Sequence, residues 1–350
     1  MTEAPVPLAA LDAFCRAAVL AVGADQATAD AATRSMMHAT THGVDSHGVR
    51  LLPHYLTALD GGRLNKTPDV RVVARTGAVE TLDADNAQGA LGAYRGMDRA
   101  VALARTFGIG AVAIRNTSHF GPAGAYAVEA ARAGVIGIAL CNSDAFVRLH
   151  DGASRFHGTN PIAMGVPVAG QDPWLLDMAT SAIPYNRVEL YRSLGVALPE
   201  AAASDAGGRD TTDAARADML APLGAAFGFK GAALAGVAEI LSAVLTGMRL
   251  SFDIAPMGGP DFATPRGMGA FVIAIDPLAF VDRATFDDGM RRYRDTLRQS
   301  PARDGAAVLA PGDREWQAGR RRAAEGVVLD PATRAGFADW ARRLGIAAPW

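Results

Sequence analysis

Gly108-Ile109-Gly110-Ala111-Val112-Ala113-Ile114, followed closely by Thr117-Ser118-His119-Phe120-Gly121-Pro122-Ala123-Gly124, is the passage on which the fold turns. The first run is apolar and short and reads as a buried strand. The second is a break of polar and turn-forming residues. From Ala123 to Ala133 the chain returns to helix formers, and Val135-Ile136-Gly137-Ile138-Ala139-Leu140 is another buried strand. Strand, loop, helix and strand in this order argue for an α/β core. The loop carrying His119 lies between a strand and a helix N-terminus, where ligands collect in such proteins and where an anionic group is favoured.

Upstream, Leu8, Leu11, Cys15, Ala18 and Val22 recur at helical spacing, and after Gly23-Ala24-Asp25 a second helix runs from Ala27 to Met37. Val70-Arg71-Val72-Val73-Ala74 and Val79-Glu80-Thr81-Leu82-Asp83 read as paired strands, and Tyr94 to Phe107 as a helix. Downstream, Trp174-Leu175-Leu176 is a strand. Residues 192–219 are polar and turn-rich and are expected to run over the surface. Gly231 to Met248 is the clearest helix, with Leu234, Val237, Leu241, Val244 and Leu245 on one stripe. Phe271-Val272-Ile273-Ala274-Ile275 is a central strand ended by Asp276-Pro277. Two charged helices follow, Thr285 to Gln299 and Pro331 to Leu344, joined by a Pro/Gly-containing link. The expected division is a helical domain from residues 1–68 with 285–350, and an α/β core from 69–284 with an excursion at 192–219.

The 350 residues are half hydrophobic with a formal net charge of −2, so a large core is expected and no basic surface points to nucleic acid. Cys15 and Cys141 read as reduced core thiols. No leader-like start and no apolar stretch of roughly 20 residues is evident, so a cytoplasmic protein without a membrane span is expected. His38 and His42 share a helical face near His47, but no second cluster supports a metal site, and none is expected.

No strand feeds a Gly-x-Gly-x-x-Gly turn with a helix behind it, so a nicotinamide cofactor would need a different fold. Five polar marks stand out instead: Asp45-Ser46-His47-Gly48-Val49-Arg50, the His119 loop, Gly158-Thr159-Asn160-Pro161, Leu176-Asp177-Met178-Ala179-Thr180-Ser181 and Gly228-Phe229-Lys230-Gly231. In this order they resemble the malate/L-lactate dehydrogenase family, which includes ureidoglycolate dehydrogenase and Δ1-piperideine-2-carboxylate reductase. The resemblance implies a non-Rossmann, mostly antiparallel NAD(P)-binding core, a homodimer, and hydride transfer between NAD or NADP and a 2-oxo acid, its 2-hydroxy acid or a cyclic ketimine carboxylate.

Reduction of a ketone or imine needs a proton as well as a hydride. His47 is the candidate proton donor, with an ordinary imidazole pKa near neutrality, and Ser46 is placed to orient it. An ordinary helix cap at Asp45 or Ser46 is the competing reading. His119 is the second catalytic candidate, since the ureidoglycolate branch assigns its base there. Arg50, Thr159 and His54 are the candidate substrate contacts. The resemblance places His119, Phe120, Gly121, Asp177, Met178, Ala179, Lys230 and Gly231 at the cofactor, and Lys230 with Gly231 at a helix start suits a diphosphate.

The chain also departs from the family. Leu51 stands where the family usually has an arginine that grips the substrate carboxylate. Arg187 replaces an acidic relay, and Phe229 and Ala270 each replace a common histidine. Arg50 could take over the carboxylate if residues 46–52 were helical, although Pro53 counts against that helix. These departures keep open a reductase of an imine or ketone lacking a carboxylate, and a non-catalytic homologue that kept only the fold.

Overall fold

A computed structural model describes residues 4–350. The chain opens with α1 (Leu8–Ala21), α2 (Gln26–Thr41) and α3 (Leu52–Asp60), then enters β1 (Arg71–Thr76), β2 (Val79–Asp83), α4 (Gly89–Phe107), β3 (Ile109–Thr117), α5 (Gly124–Arg132) and β4 (Ile136–Cys141). Next come β5 (Val147–Arg148), β6 (Arg155–His157), β7 (Ile162–Val166), β8 (Trp174–Met178), α6 (Tyr185–Leu194), β9 (Ala203–Ser204) and β10 (Met219–Leu220). α7 (Gly228–Glu239), β11 (Met268–Ile275), α8 (Arg283–Arg298), α9 (Asp313–Glu325) and α10 (Pro331–Leu344) complete it.

Seven strands form the main sheet in the order β1-β2-β3-β11-β4-β7-β8. Only β2 and β3 pair in parallel; every other neighbouring pair is antiparallel. The sheet is therefore mostly antiparallel, unlike a doubly wound dinucleotide fold. β11 runs through its middle, with Ala270 opposite both Ile114 and Cys141. Period-two alternation sends Ala270, Val272 and Ala274 into the core shared with α4. Gly269 lies on the other face, where a Cβ would come within 1.8 Å of the Ser242 carbonyl oxygen. The segment after α7 is thus pressed backbone to backbone on the sheet, and residues 240–244 there take a π-helical turn.

A second core joins the two ends of the chain. Phe14 and Phe337 have ring centroids 4.9 Å apart, and Leu52, Leu56, Leu59 and Trp340 are buried with them. Pro53 lies in the first turn of α3, where its missing N–H costs nothing; residues 45–51 form two short 3-10 turns before it.

Four expectations need correction. Residues 192–219 do more than run over the surface: β9 and β10 join β5 and β6 in a four-stranded sheet, and Leu198, Ala203 and Ala214 are buried there. The stripe on α7 points outward. Leu234, Val237, Val244 and Leu245 are 41–62% exposed, whereas the small residues Gly231, Ala235, Ala238, Ser242 and Ala243 are buried. Close approach to Gly269 selects small residues on the inner face, so bulk is displaced to the outer one. For the same reason an apolar stretch of membrane-spanning length does exist: residues 225–244 are long and apolar enough to cross a bilayer by length and composition. Their inner side holds the buried Glu239, which accepts hydrogen bonds from Asn160 Nδ2 at 2.8 Å and Ser251 N at 2.6 Å. The link before α10 also contains α9, whose Trp316 Nε1 donates to the Pro173 carbonyl at 2.9 Å.

Candidate active site

His47 and His119, far apart in sequence, are stacked with centroids 5.7 Å apart and planes inclined by 19°. Two close backbone approaches bring them together. Gly48 presses the first turn on α2, where a Cβ would meet Thr40 Oγ1 at 2.3 Å, and Val49 N donates to that hydroxyl at 2.8 Å. The His119 loop lies on the start of α4, where a Cβ on Gly89 would meet the Ser118 and His119 carbonyl oxygens at 2.3 and 2.5 Å. Gly121 continues the loop at φ +75°, and the Phe120 carbonyl accepts from Ser35 Oγ at 3.3 Å and from Tyr126 Oη. Asp45 is not a cap; both its carboxylate oxygens bind Arg322 of α9, at 2.6 and 2.8 Å.

Each imidazole is held through Nδ1. Ser46 Oγ is 2.9 Å from His47 Nδ1, and Tyr55 Oη is 2.8 Å from His119 Nδ1. Both rings therefore keep Nε2 for a ligand. His54 completes the cluster, 5.7 Å from Tyr55 and 5.9 Å from Phe262 by ring centroids. Burial pulls His47 and His54 down to about 4, and burial with the neighbouring His47 and His54 takes His119 well below the usual imidazole value. All three are neutral at neutral pH, and a proton on one ring opposes a proton on the other. Burial raises the Tyr55 phenol, which stays protonated.

Thr159 is anchored from both sides. Its N–H donates to Ser143 Oγ at 3.2 Å and its carbonyl accepts from Thr180 N at 2.9 Å. The neighbouring Asn160 is fully buried against Glu239 and the Ala235 carbonyl, which ties this turn to α7. Asp177, at the end of β8, accepts the Gly124 N–H at the start of α5, and burial lifts its carboxyl to about 7. Met178 and Ala179 follow it, half-buried. Lys230 is exposed in the first turn of α7, its Nζ 5.2 Å from the Phe227 ring centre, and Gly231 is buried so closely that a Cβ would meet the Leu223 carbonyl oxygen at 2.2 Å.

Arg50 does not join the histidine cluster. It is exposed, and its charge acts on Asp330 ahead of α10. Leu51 packs against the core between the chain ends. The cations beside the histidines are Arg63 and Arg266, each 2% exposed. Sequence reasoning passed over both, and Tyr55 as well: an arginine in a turn-rich loop reads as solvated, and no periodicity marks these positions. Arg187 is exposed, and Ala270 lies in the core on the α4 side.

A mostly antiparallel sheet with two facing imidazoles at its rim, and no glycine-rich dinucleotide turn, sets this chain apart from the Rossmann dehydrogenases. A family model described as malate/L-lactate dehydrogenase matches residues 6–337. A (2R)-3-sulfolactate dehydrogenase (NADP(+)) from Chromohalobacter salexigens is 35% identical over 87% of this chain and 89% of its own. A ureidoglycolate dehydrogenase (NAD(+)) from Escherichia coli is 31% identical over 84% and 83%. The crystal structure of malate dehydrogenase from Entamoeba histolytica superposes with a TM-score of 0.93 over all of both chains at 27% identity. The chain belongs to the malate/L-lactate dehydrogenase family.

Proposed function

We propose that this protein is an NAD(P)-dependent oxidoreductase that interconverts a 2-hydroxy acid and its 2-oxo acid, or reduces a cyclic ketimine carboxylate. The observation that carries this reading is the stacked pair His47 and His119, each held by a hydroxyl at Nδ1 and each left with Nε2 for a ligand.

The residues present fit a nicotinamide dinucleotide. Lys230 offers an ammonium beside the first N–H groups of α7, whose start is fixed by Gly231 packing on the Leu223 backbone. Asp177, protonated up to about pH 7, does not repel a diphosphate. When bound, the nicotinamide supplies or accepts the hydride. In the oxidative direction neutral His47 accepts the hydroxyl proton at Nε2 while Ser46 holds the ring. In the reductive direction His47 must first gain a proton, which an anionic substrate beside it favours. His119, on Tyr55, faces the same ligand and donates or accepts a hydrogen bond according to its tautomer.

The outward apolar face of residues 227–245 supports assembly as a homodimer, with a second copy covering Leu234, Val237 and Val244. Fluorescence titration with NADH and NADPH, followed by turnover of 2-oxo acids and ketimine carboxylates, tests the reading. Saturable binding of one nucleotide and its oxidation by a member of the panel is expected, and the absence of binding by both would refute it.

A further inference from the structure

Arg63 and Arg266 are among the most deeply buried side chains in the protein, and each keeps a buried guanidinium nitrogen without a hydrogen-bond partner. Arg266 pairs with Asp144 and donates Nε to the Ala255 carbonyl at 2.8 Å, but its Nη1 is buried without a partner. Arg63 donates Nη1 to the Met257 carbonyl at 3.0 Å, stacks 4.5 Å from the Phe262 ring centre, and has a buried, unpartnered Nε. Met257 N donates to the remaining Asp144 oxygen at 3.1 Å, so one loop holds both guanidinium groups. Asp261 also faces Arg63 and offsets part of its charge from the exposed surface, where its Oδ1 accepts the N–H groups of Ala263 and Thr264 at 2.7 and 3.0 Å.

Two buried cations thus share one buried anion, with donors to spare. Buried guanidinium donors left without partners are costly, so an anion that reached them would be held by otherwise unmet hydrogen bonds. The surroundings show where that ion would sit. Phe262 lies between Arg63 and His54, and His54 adjoins Tyr55, which holds His119. Both arginines act electrostatically on His54, and Arg266 also acts on His119.

We propose that Arg63 and Arg266 form the subsite for the anionic group of the substrate, a carboxylate or sulfonate, which Leu51 cannot bind and Arg50 faces away from. This deepens the reading above and rests on it for the identity of the ligand. The planar guanidinium groups supply directed donors, and Asp144 holds one of them in place and limits the excess charge while the site is empty.

The test is calorimetric titration of the full-length protein with oxalate, alongside NADH titration and steady-state kinetics on 2-oxo acids. Arg63→Met keeps much of the side chain's volume and breaks no direct ion pair, since Asp144 keeps Arg266 and Asp261 is exposed. It is expected to weaken oxalate binding by about ten- to a hundredfold and raise KM similarly, with NADH affinity kept. Asp144→Asn frees Arg266 and is expected to tighten oxalate. If Arg266→Met alone fails to fold, the paired variant Asp144→Asn with Arg266→Met removes both charges together and should likewise lose oxalate. Oxalate affinity within about twofold of wild type in Arg63→Met and in the paired variant would overturn the proposal. So would a wild-type protein that turns over 2-oxo acids but does not bind oxalate. Failure to bind either nucleotide would instead count against the oxidoreductase reading, and the oxalate titrations would still decide the role of the arginines.

Discussion

Replacing Asp177 with asparagine should make the protein more stable at alkaline pH and free its cofactor affinity from a pH dependence expected of the wild type. The carboxyl has one backbone donor, Gly124 N–H, and burial, helped by the nearby Glu315 charge, outweighs that hydrogen bond and lifts it from 3.8 to about 7. Below pH 3.8 both the folded and the unfolded chain carry the proton, and folding is not penalised. As the pH rises, the unfolded chain ionises first and the folded chain does not, so stability falls until pH reaches about 7. The whole displacement corresponds to an upper bound of about 4 kcal/mol, of which relaxation and entering water leave about 2. Asparagine keeps the acceptor for Gly124 and does not titrate. Urea unfolding at pH 4.5, 6 and 8 should therefore show Asp177→Asn gaining on the wild type by about 2 kcal/mol or more across that span. NADH affinity should fall above pH 7 in the wild type, as a carboxylate forms near the diphosphate, and stay flat in the variant. A difference in stability that does not change with pH would refute the reasoning, because it would place the Asp177 carboxyl in water.

His47→Asn should lower turnover by about a hundred- to ten-thousandfold and leave nucleotide binding intact, measured by kcat beside an NADH titration. Because His47 is neutral above about pH 4, kcat/KM for hydroxy-acid oxidation in the wild type should decline as the pH falls through that value and not before, unless the protein unfolds first. Gly269→Ala would set a Cβ 1.8 Å from the Ser242 carbonyl oxygen and 2.4 Å from Thr246 Oγ1, so thermal unfolding should show a loss of about 1–3 kcal/mol or more. Val237→Glu with Val244→Glu, both at exposed positions, should convert a dimer to a folded monomer by light scattering; an unchanged mass would move the subunit interface elsewhere.

Most of the main sheet was legible because its inner strands are short apolar runs between turn residues, and the central β11 announced itself by Phe271 to Ile275 ahead of Asp276-Pro277, whereas β7, with Gly165 within it and Pro161 before it, was not read. The ordered marks around His47, His119, Thr159 and Asp177 gave the family, and structure then added the contact between the first two, which no local pattern encodes. α7 misled for a physical reason. Periodicity finds the bulky side of a helix, and the bulky side is buried only when the partner surface has room; opposite Gly269 it has none, so the alanines and Ser242 turn inward and the valines and leucines outward. The missing carboxylate-binding arginine at Leu51 misled in the opposite sense. A loss in sequence looked like a loss of anion recognition, with Arg50 the nearest substitute along the chain, but three-dimensional neighbours are set by the loop that leads into β11. That loop brings Arg266 to Arg63, and both to His54, from positions that are 203 residues apart by number (266 − 63). Charge balance in the folded interior, rather than proximity in sequence, is what exposes them: a single buried Asp144 facing two guanidinium groups leaves donors for one more anion, and the charge of Arg266 reaches both His54 and His119.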